Sequence, residues 1–402
     1  MTTILTRFLN LPTFKSLQHR NYRLFFSGQL FSLAGTWMQS MAQAWLVYQL
    51  THSSVWLGTI GFLNSIPILF LSMFGGSLAD RMSKRKLIIV TQMISLLQAL
   101  LLAILVLTES ITVEVVAVLA LALGIVNAFD IPARQSYIVE LVGKENLTNA
   151  IALNSATFNA ARIVGPAIGG IVIAAFGVGW CFAFNAFSFC AVIVNLIKID
   201  TPYIPDPKYS AVNIFHSLKE SALYIRSDTS MLSLMFLLAV ITIFGWSYSV
   251  LLPIFADSIL NIGAVGLGNL MMSVGIGAFI SAVTVASFES KIQARTFVNS
   301  GIILFVFCIS VFALSTNISL SLLSLIGVGM GLVMFLATAN AAIQRQAPDA
   351  LRGRVMGLYS LIFLGLSPFG SLSMGLLANV IGVRGAVLLG GVVCGVAALA
   401  VQ

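Results

Sequence analysis

Three charged side chains lie inside long apolar stretches of the sequence, where an ionised group is costly to bury. Asp130 and Arg134 are four residues apart on one predicted helix face, and Arg162 lies in the following stretch. Inside a membrane such a group must face water, an opposite charge or a ligand. Asp130 is the deepest acid, so it is either a proton carrier or a permanent ion-pair partner of Arg134 or Lys84. Arg162 either alternates between Asp130 and an anionic ligand or is a fixed structural cation.

A polar stripe in the first apolar stretch gives a second group of candidates. Its serine, threonine and glutamine residues recur at helical spacing, so they share one face of a helix. A stripe facing lipid would be unfavourable, and the spacing therefore predicts that it faces either a water-filled cavity or another helix. The side chains expected to line such a cavity, including candidates from other stretches, are Ser32, Thr36, Gln39, Gln43, Asn127, Asn159 and Trp246.

The composition places these stretches in a bilayer. Of the 402 residues, 59% are hydrophobic and 8% are charged, whereas soluble domains carry about 25% charged residues. The apolar runs repeatedly reach the roughly 20 residues that cross a bilayer. The four cysteines are scattered, the three histidines stand apart, and no glycine-rich stretch carries the Lys-Ser/Thr of a phosphate loop. We therefore expect an all-α membrane protein with no metal, no cofactor and no enzymatic site.

Polar breaks between the apolar runs predict twelve transmembrane helices. Most of the 21 Lys and Arg residues fall on one side of this arrangement, so we expect a cytoplasmic amino terminus. The net charge of +8 follows from this topology and does not indicate nucleic-acid binding. The predicted spans are 22–50, 53–78, 86–108, 112–137, 147–176, 179–198, 229–256, 264–288, 296–315, 318–343, 353–380 and 384–402.

A central polar stretch divides the chain into two six-span halves. Residues 200–228 open with the sequence DTPYIPDP, whose prolines favour an extended linker, and continue with an amphipathic pattern typical of a helix on the inner leaflet. The predicted division is therefore 1–199, 200–228 and 229–402. The fifth and eleventh spans begin with similar sequences containing Gly and Pro, and such paired halves are typical of a secondary transporter.

The sequence GGSLADRMSKRK, between spans two and three, resembles the loop signature of the major facilitator superfamily. Ser83 stands where that signature has its second glycine. The resemblance implies a cytoplasmic gate, in which Asp80 lies near the start of span eleven and Lys84 links it to Asp130. The alternative is that the basic residues only fix the topology. The positions expected to form the gate are Gly76, Asp80, Arg81, Lys84 and Arg85.

A second motif and a longer resemblance point to export. The segments GQLFSLAGTWMQSMAQAWLVYQLT and FDIPARQSYIVELVGKENLTNAIALNS are similar to the branch of the superfamily that contains enterobactin exporters and macrolide efflux proteins. In span five the chain also resembles the superfamily's antiporter motif G-P-x-x-G-G, which implies efflux rather than uptake. The residues that match this motif are Gly165, Pro166, Gly169 and Gly170.

The sequence therefore predicts a secondary exporter that works by proton antiport and alternating access. Its single deep arginine favours a small amphiphilic cargo, siderophore-like and neutral or anionic. We expect a monomer in the bacterial cytoplasmic membrane whose partners are the small-molecule substrate, protons and membrane lipid. Multidrug or macrolide efflux and lysolipid flipping are alternatives within transport. A non-transporting membrane receptor or scaffold is the alternative of another class.

Overall fold

The structure is a computed structural model, and it describes residues 12–200, 214–288, 292–349 and 351–401. Every regular element in these ranges is helical, as the apolar runs predict. A short 3-10 segment, Pro12–Gln18, comes first. The helices that follow it, in chain order, are α1 (Arg20–Thr51), α2 (Ser54–Arg81), α3 (Lys84–Leu107), α4 (Val113–Val142), α5 (Leu147–Phe176), α6 (Val178–Lys198), α7 (Ile214–Ser227), α8 (Thr229–Ile259), α9 (Gly263–Phe288), α10 (Ala294–Leu314), α11 (Ile318–Gln346), α12 (Arg352–Ile381) and α13 (Val383–Ala400).

Within the described ranges, eleven of these helices have the length and hydropathy needed to cross a membrane. They correspond to the predicted spans two to twelve, and their bounds differ from the predicted ones by a few residues. The all-helical, multi-pass architecture is therefore confirmed. Helix α1 contains the predicted first span, but its polar stripe lowers its hydropathy, so the count of twelve spans stays a prediction.

Side-chain caps set where several helices begin. Thr112, Asn317 and Asp228 each precede a helix, and their side-chain oxygens accept hydrogen bonds from backbone N–H groups in the first turn. These N–H groups have no partner within the helix itself, so the caps satisfy them. The polar breaks that separate the apolar runs in the sequence thus coincide with helix ends.

One membrane-length helix is irregular. Helix α8 is α-helical over Thr229–Val240, continues as a π-helix over Ile241–Trp246 and a 3-10 helix over Ser247–Leu251, and ends as a π-helix over Phe255–Ile259. Pro253 disturbs the ladder of hydrogen bonds because proline has no backbone N–H to donate. The sequence analysis treated this run as an ordinary span and missed the irregular segment, for which Pro253 was the available signal.

By their packing, the described residues form two units. The first comprises the described residues of 1–43 and 70–208, where α3 packs mainly on α6 and α4. The second comprises those of 44–69 and 209–402, where α11 packs on α9 and α10. This division differs from the chain-order halves, because the stretch 44–69 from the first predicted half packs with the second unit.

Contacts between α2 and α12 explain why 44–69 belongs to the second unit. The hydroxyl of Ser54 donates to the backbone carbonyl of Gly375 at 2.9 Å. A Cβ atom at Gly58 would lie 2.6 Å from the carbonyl oxygen of Ser371, so the two backbones touch here. Phe62 also packs edge-on against Phe369, with ring centroids 6.0 Å apart. The absence of side chains at the glycines allows this approach.

The structure describes only part of the predicted linker 200–228. The proline-rich stretch 201–213 lies outside the described residues, and the predicted amphipathic helix is α7. Glu220 of α7 forms an ion pair with Arg354 of α12, and the hydroxyl of Tyr224 donates to the carbonyl of Gln346 at 3.4 Å. Ile225 is buried. Helix α7 therefore contacts the start of α12 through an ion pair and the end of α11 through a hydrogen bond.

Helices α9 and α11 pack with their backbones in contact. A Cβ atom at Gly277 would overlap the carbonyl oxygen of Ile326, and one at Gly329 would overlap that of Val274. A backbone oxygen cannot turn away as a flexible side chain can. Glycine is therefore required at both positions for this helix pair to pack as it does.

We expect Gly329→Ala to destabilise the protein by about 1–3 kcal/mol, because the added methyl group overpacks the α9–α11 contact. The matched control is Gly357→Ala, since a Cβ atom there meets nothing within 4 Å. Thermal unfolding of the two purified variants in detergent is the measurement. Equal midpoints for the two variants would contradict the assigned contact.

Candidate functional site

The side chain of Asp130 is held from two helices. It is buried on α4, and Arg134, one turn further along the same helix, forms an ion pair with Oδ2 of Asp130. From α3, the hydroxyl of Thr91 donates to Oδ1 at 2.5 Å and Nε2 of Gln92 donates to the same oxygen at 3.2 Å. The structure therefore brings together Asp130 and Arg134, as their spacing predicts, and adds Thr91 and Gln92, which the sequence analysis missed.

This acid lies deep in a membrane-length helix. Asp130 is twelve residues from the end of α4 at Val142, which corresponds to about 18 Å along the helix axis. Among the described residues, Asp130 is the one charged residue that is buried, with 6% of its surface exposed. Burying an ionised carboxylate is costly unless it is paired and hydrogen-bonded, and three donors meet this requirement here.

Arg162 stands on α5 beside two aromatic rings. Its guanidinium carbon lies 5.9 Å from the ring centroid of Trp37 on α1, a distance typical of a cation–π contact. Trp37 packs edge-on against Phe158, with ring centroids 5.6 Å apart. Arg162 and Trp37 are half-buried and Phe158 is exposed. A cation and two rings therefore share a partly accessible face, which we call the Arg162 face.

The predicted polar stripe of α1 divides into two parts. Gln39 donates through Nε2 to Gln98 of α3 at 3.0 Å and accepts from Asn185 of α6 at 2.7 Å, so it ties three helices together. Ser32 and Gln43 are also buried, whereas Thr36 is exposed. Gln39 therefore follows the predicted alternative of packing against other helices, whereas Thr36 lies on an accessible surface.

Other predicted cavity-lining residues are only partly accessible. Asn127 of α4 and Asn159 of α5 are half-buried, and Asn159 donates to the backbone carbonyl of Ser155 one turn earlier. In the second unit, Trp246 lies at the end of the π-helical segment of α8, half-buried, and packs edge-on against Phe363 with ring centroids 5.8 Å apart.

The loop between α2 and α3 has a different ion pair from the predicted one. Lys84 pairs with Glu140 near the end of α4 at 2.6 Å, so the expectation that it would contact Asp130 is wrong in this structure. Asp130 is about ten residues deeper along the same helix, beyond the reach of the loop. Glu140 is partly exposed, and the sequence analysis had not considered it.

Serine in place of the signature's second glycine has a structural reason. Ser83 is the N-cap of α3, and its hydroxyl accepts a hydrogen bond from the backbone N–H of Lys86. Arg85 extends to the end of α6, where it donates to the carbonyls of Leu196 and Ile197 at 2.7 and 2.6 Å. A cation at a helix C-terminus is favourable, so this loop joins the ends of α3 and α6.

The remaining residues of the loop signature are more exposed or have fewer contacts than Ser83 and Arg85. Asp80 is half-buried, and its carboxylate has no hydrogen bond or ion pair with any residue that the structure describes. Arg81 is exposed at the last position of α2. A Cβ atom at Gly76 would meet open space, whereas one at Gly75 would overlap the backbone carbonyl of Ala128 on α4. Gly75 therefore sets the close approach of α2 and α4, and Gly76 does not.

The predicted antiporter motif is a packing surface. A Cβ atom at Gly165 would lie 2.6 Å from the carbonyl oxygen of Ala34, and one at Gly169 would lie 3.1 Å from the side chain of Met38. Pro166 and Gly170 are buried within the same helix. The motif thus brings α5 against α1 and places Arg162, one turn earlier, beside Trp37.

The whole described architecture agrees with a known family. Residues 12–402 match the family model described as "Transmembrane secretion effector", a group of the major facilitator superfamily. The chain belongs to this family. Its members are membrane transporters, so the protein is a multi-pass membrane transporter and not an enzyme.

The names of several relatives indicate transporters with different cargoes. The chain is 26% identical over 366 residues to the staphyloferrin A transporter of Staphylococcus aureus, covering 90% of each chain. It is 25% identical to the multidrug efflux pump Tap of Mycolicibacterium fortuitum, over 87% of each chain. It is 23% identical to the enterobactin exporter EntS of Escherichia coli, over 88% of this chain and 83% of the relative.

Solved structures agree on the fold. A variant of the nucleoside transporter NupG superimposes with a TM-score of 0.76 at 14% identity, over 94% of this chain and 98% of NupG. A bacterial homologue of the human lysosomal transporter Spinster, in an inward-facing and unoccupied conformation, also gives 0.76, at 12% identity, over 97% of this chain and 96% of the homologue. At such identities the likeness shows the fold alone.

We expect Gln39→Leu to lower stability without changing the affinity for cargo. The substitution would leave Oε1 of Gln98 and Nδ2 of Asn185 without the partner that Gln39 provides, at about 1–3 kcal/mol for each group. Thermal unfolding and the KM for a citrate-type siderophore in proteoliposomes are the two measurements. A changed KM with an unchanged unfolding midpoint would show that Gln39 faces the cargo instead.

Proposed function

We propose that the protein is a proton-coupled antiporter that exports a small amphiphilic molecule, siderophore-like and neutral or anionic, by alternating access. The observation that carries this proposal is the buried, hydrogen-bonded carboxylate of Asp130 on a membrane-length helix. The Arg162 face supports the choice of cargo. The efflux pump and the enterobactin exporter among the relatives support the direction of transport.

Asp130 is the group proposed to carry the proton. Its side chain is deep in α4, and a carboxyl group in such a place can gain or lose one proton with a large change in local charge. Arg134 would remain as its ion-pair partner when the proton leaves. The alternative is a permanent ion pair that only stabilises the α3–α4 contact.

The cargo is proposed from the Arg162 face. A guanidinium forms strong hydrogen bonds with carboxylate or catecholate oxygens, and the rings of Trp37 and Phe158 offer apolar surface beside it. A cationic cargo would need acids, and among the described residues of α8 to α13 the one acid is Asp257. The named cargoes of two relatives, staphyloferrin A and enterobactin, give the siderophore class.

The loop that contains Asp80 is proposed as a gate at the cytoplasmic surface. The basic residues of the loops place this surface inside, so the amino terminus is proposed to be cytoplasmic and the membrane to be the bacterial cytoplasmic membrane. Asp80 has a half-buried carboxylate without a partner among the described residues, which leaves it available for a contact in another conformation. We propose a monomer as the functional form, with two halves at 1–199 and 229–402 joined by 200–228.

Multidrug efflux is the second candidate. The exposed ring of Phe158 and the half-buried ring of Trp37 would also accept apolar drugs, and the efflux pump Tap is a relative. Lysolipid flipping and a non-transporting scaffold have no comparable observation in their favour. A cationic dye and a siderophore, tested side by side, separate the two candidates.

We expect Asp130→Asn to abolish transport driven by a pH gradient while cargo exchange without a gradient continues. The amide cannot take up or release the proton, but it keeps the shape of the side chain and can still accept a hydrogen bond from Thr91. Uptake of a citrate-type or catecholate siderophore into inside-out proteoliposomes is the measurement. Unchanged gradient-driven uptake would exclude Asp130 as the proton carrier.

We expect Arg162→Gln to raise the KM for an anionic siderophore by about tenfold or more, since a hydrogen bond to a charged group contributes about 1.5–3 kcal/mol. Arg162→Lys keeps the charge and should retain part of the affinity. The control is Arg226→Gln, a cation exposed on α7. Movement of a cationic dye alone, with an unchanged KM in Arg162→Gln, would favour multidrug efflux and make Arg162 structural.

A further inference from the structure

The hydroxyl of Thr91 has two acceptors and one hydrogen. Its Oγ1 lies 2.5 Å from Oδ1 of Asp130 and 2.9 Å from the backbone carbonyl oxygen of Ile88, one turn earlier on α3. Thr91 is buried, with 4% of its surface exposed. Because the hydroxyl carries a single hydrogen, it can donate to only one of these oxygens at a time. A hydroxyl can also accept, and of the two neighbouring oxygens only that of Asp130 can donate to it, when the carboxyl group is protonated.

We propose that Thr91 is a positioning residue that lets Asp130 bind and release a proton without leaving a buried group unpaired. The inference rests on the proposed role of Asp130 as the proton carrier. The hydroxyl hydrogen of Thr91 points to Asp130 when the carboxyl is ionised and to Ile88 when the carboxyl is protonated.

In the ionised state every contact to Asp130 is a donor. The hydroxyl of Thr91 and Nε2 of Gln92 donate to Oδ1, and Arg134 donates to Oδ2. The oxygen–oxygen distance of 2.5 Å is in the range for a hydroxyl bonded to a carboxylate. The carbonyl of Ile88 lies within a helix and accepts a backbone N–H, so it does not depend on the Thr91 hydroxyl.

On protonation the hydrogen bond from Thr91 to Oδ1 breaks, and two hydrogen bonds form in its place. The incoming proton joins Oδ1, and the new O–H donates to Oγ1 of Thr91. The Thr91 hydrogen turns to the carbonyl oxygen of Ile88, which is already 2.9 Å away. The contacts of Gln92 and Arg134 are kept. Without a side chain that both donates and accepts, the new O–H would be buried and unpaired, at about 1–3 kcal/mol.

Three of the charged groups on the surrounding helices have contacts of their own in this structure. On α3, Lys84 pairs with Glu140 and Arg85 donates to carbonyls of α6. On α5, Arg162 stands over Trp37. Helix α2, which touches α4 at Gly75, carries Asp80 and Arg81 at its C-terminal end, five and six residues after Gly75. On α4 itself, Arg134 is bound to Oδ2 of Asp130. We therefore propose that the proton binds at Oδ1, the oxygen that contacts Thr91.

The experiment compares Thr91→Val with Thr91→Ser in the full-length protein. Valine has the shape of threonine but neither a donor nor an acceptor, and serine restores the hydroxyl. The matched control is Thr157→Val, because Thr157 is also buried but its hydroxyl donates only to the carbonyl of Leu153 on its own helix. Thr91→Ala serves as a second variant if Thr91→Val does not fold.

The first readout is the infrared difference spectrum between acidic and alkaline samples of each variant, which is recorded without cargo. The carbonyl band of the protonated Asp130 is assigned by its loss in Asp130→Asn. We expect this band at a higher frequency in Thr91→Val, where the acid has lost its acceptor, and at the wild-type frequency in Thr91→Ser and Thr157→Val. An unshifted band in Thr91→Val would overturn the role of Thr91 while leaving Asp130 as a proton site.

Transport gives the second readout, with a citrate-type siderophore as the probe. We expect gradient-driven uptake by Thr91→Val to fall by about tenfold, the factor that corresponds to the loss of one hydrogen bond, while exchange stays near the wild-type rate. An equal loss of uptake and exchange would make Thr91 a structural residue and overturn the inference. If Asp130→Asn has the wild-type spectrum and normal coupling, the proposed function fails as well, and the two failures are thereby distinguished.

Discussion

The burial of one carboxylate constrains the centre of the first unit. Asp130 is stable inside a membrane-length helix because three donors surround it: Arg134 from its own helix, and Thr91 and Gln92 from α3. The contacts from α3 fix the relative rotation of α3 and α4, since a turn of either helix would separate the carboxylate from Thr91 and Gln92. The buried amide network of Gln39 then continues the polar connections to α1 and α6.

Helix α4 connects this buried acid with the loop between α2 and α3. At one end of α4, Glu140 holds Lys84 of that loop, and two residues before Asp130, Ala128 touches Gly75 of α2. The helix that carries the proposed proton site is therefore in direct contact with the helix that ends at the proposed gate.

The sequence predicted the helices well because their signal is one of composition. Runs of apolar residues and polar breaks are sufficient to place α2 to α6 and α8 to α13 within a few residues, and a spacing of four is sufficient to pair Asp130 with Arg134. The polar stripe of α1 shows the limit of what helical spacing can predict. Helical spacing gives a face, but it cannot say that Gln39 meets Gln98 and Asn185, because those partners are distant in sequence.

The other differences also come from contacts over long sequence distances. The resemblance to the superfamily suggested an acid on span four for Lys84, and α4 carries three acids, Glu114, Asp130 and Glu140. Only the position of the loop relative to α4 selects Glu140. In α8, Pro253 is a local signal of the irregular turns, but the close approach of Gly370 to Ile243 and Ser247 has no local signal, because Gly370 lies far away in the sequence.

The central claim is that the movement of cargo is coupled to protons. The most direct test is to record the internal pH of proteoliposomes that contain the wild-type protein while a siderophore gradient, and no pH gradient, is imposed. Antiport predicts that siderophore entering the lumen drives protons out, so the lumen becomes more alkaline until the pH gradient balances the cargo gradient. Siderophore movement at an unchanged internal pH would contradict the coupling and leave Asp130 as a structural ion pair.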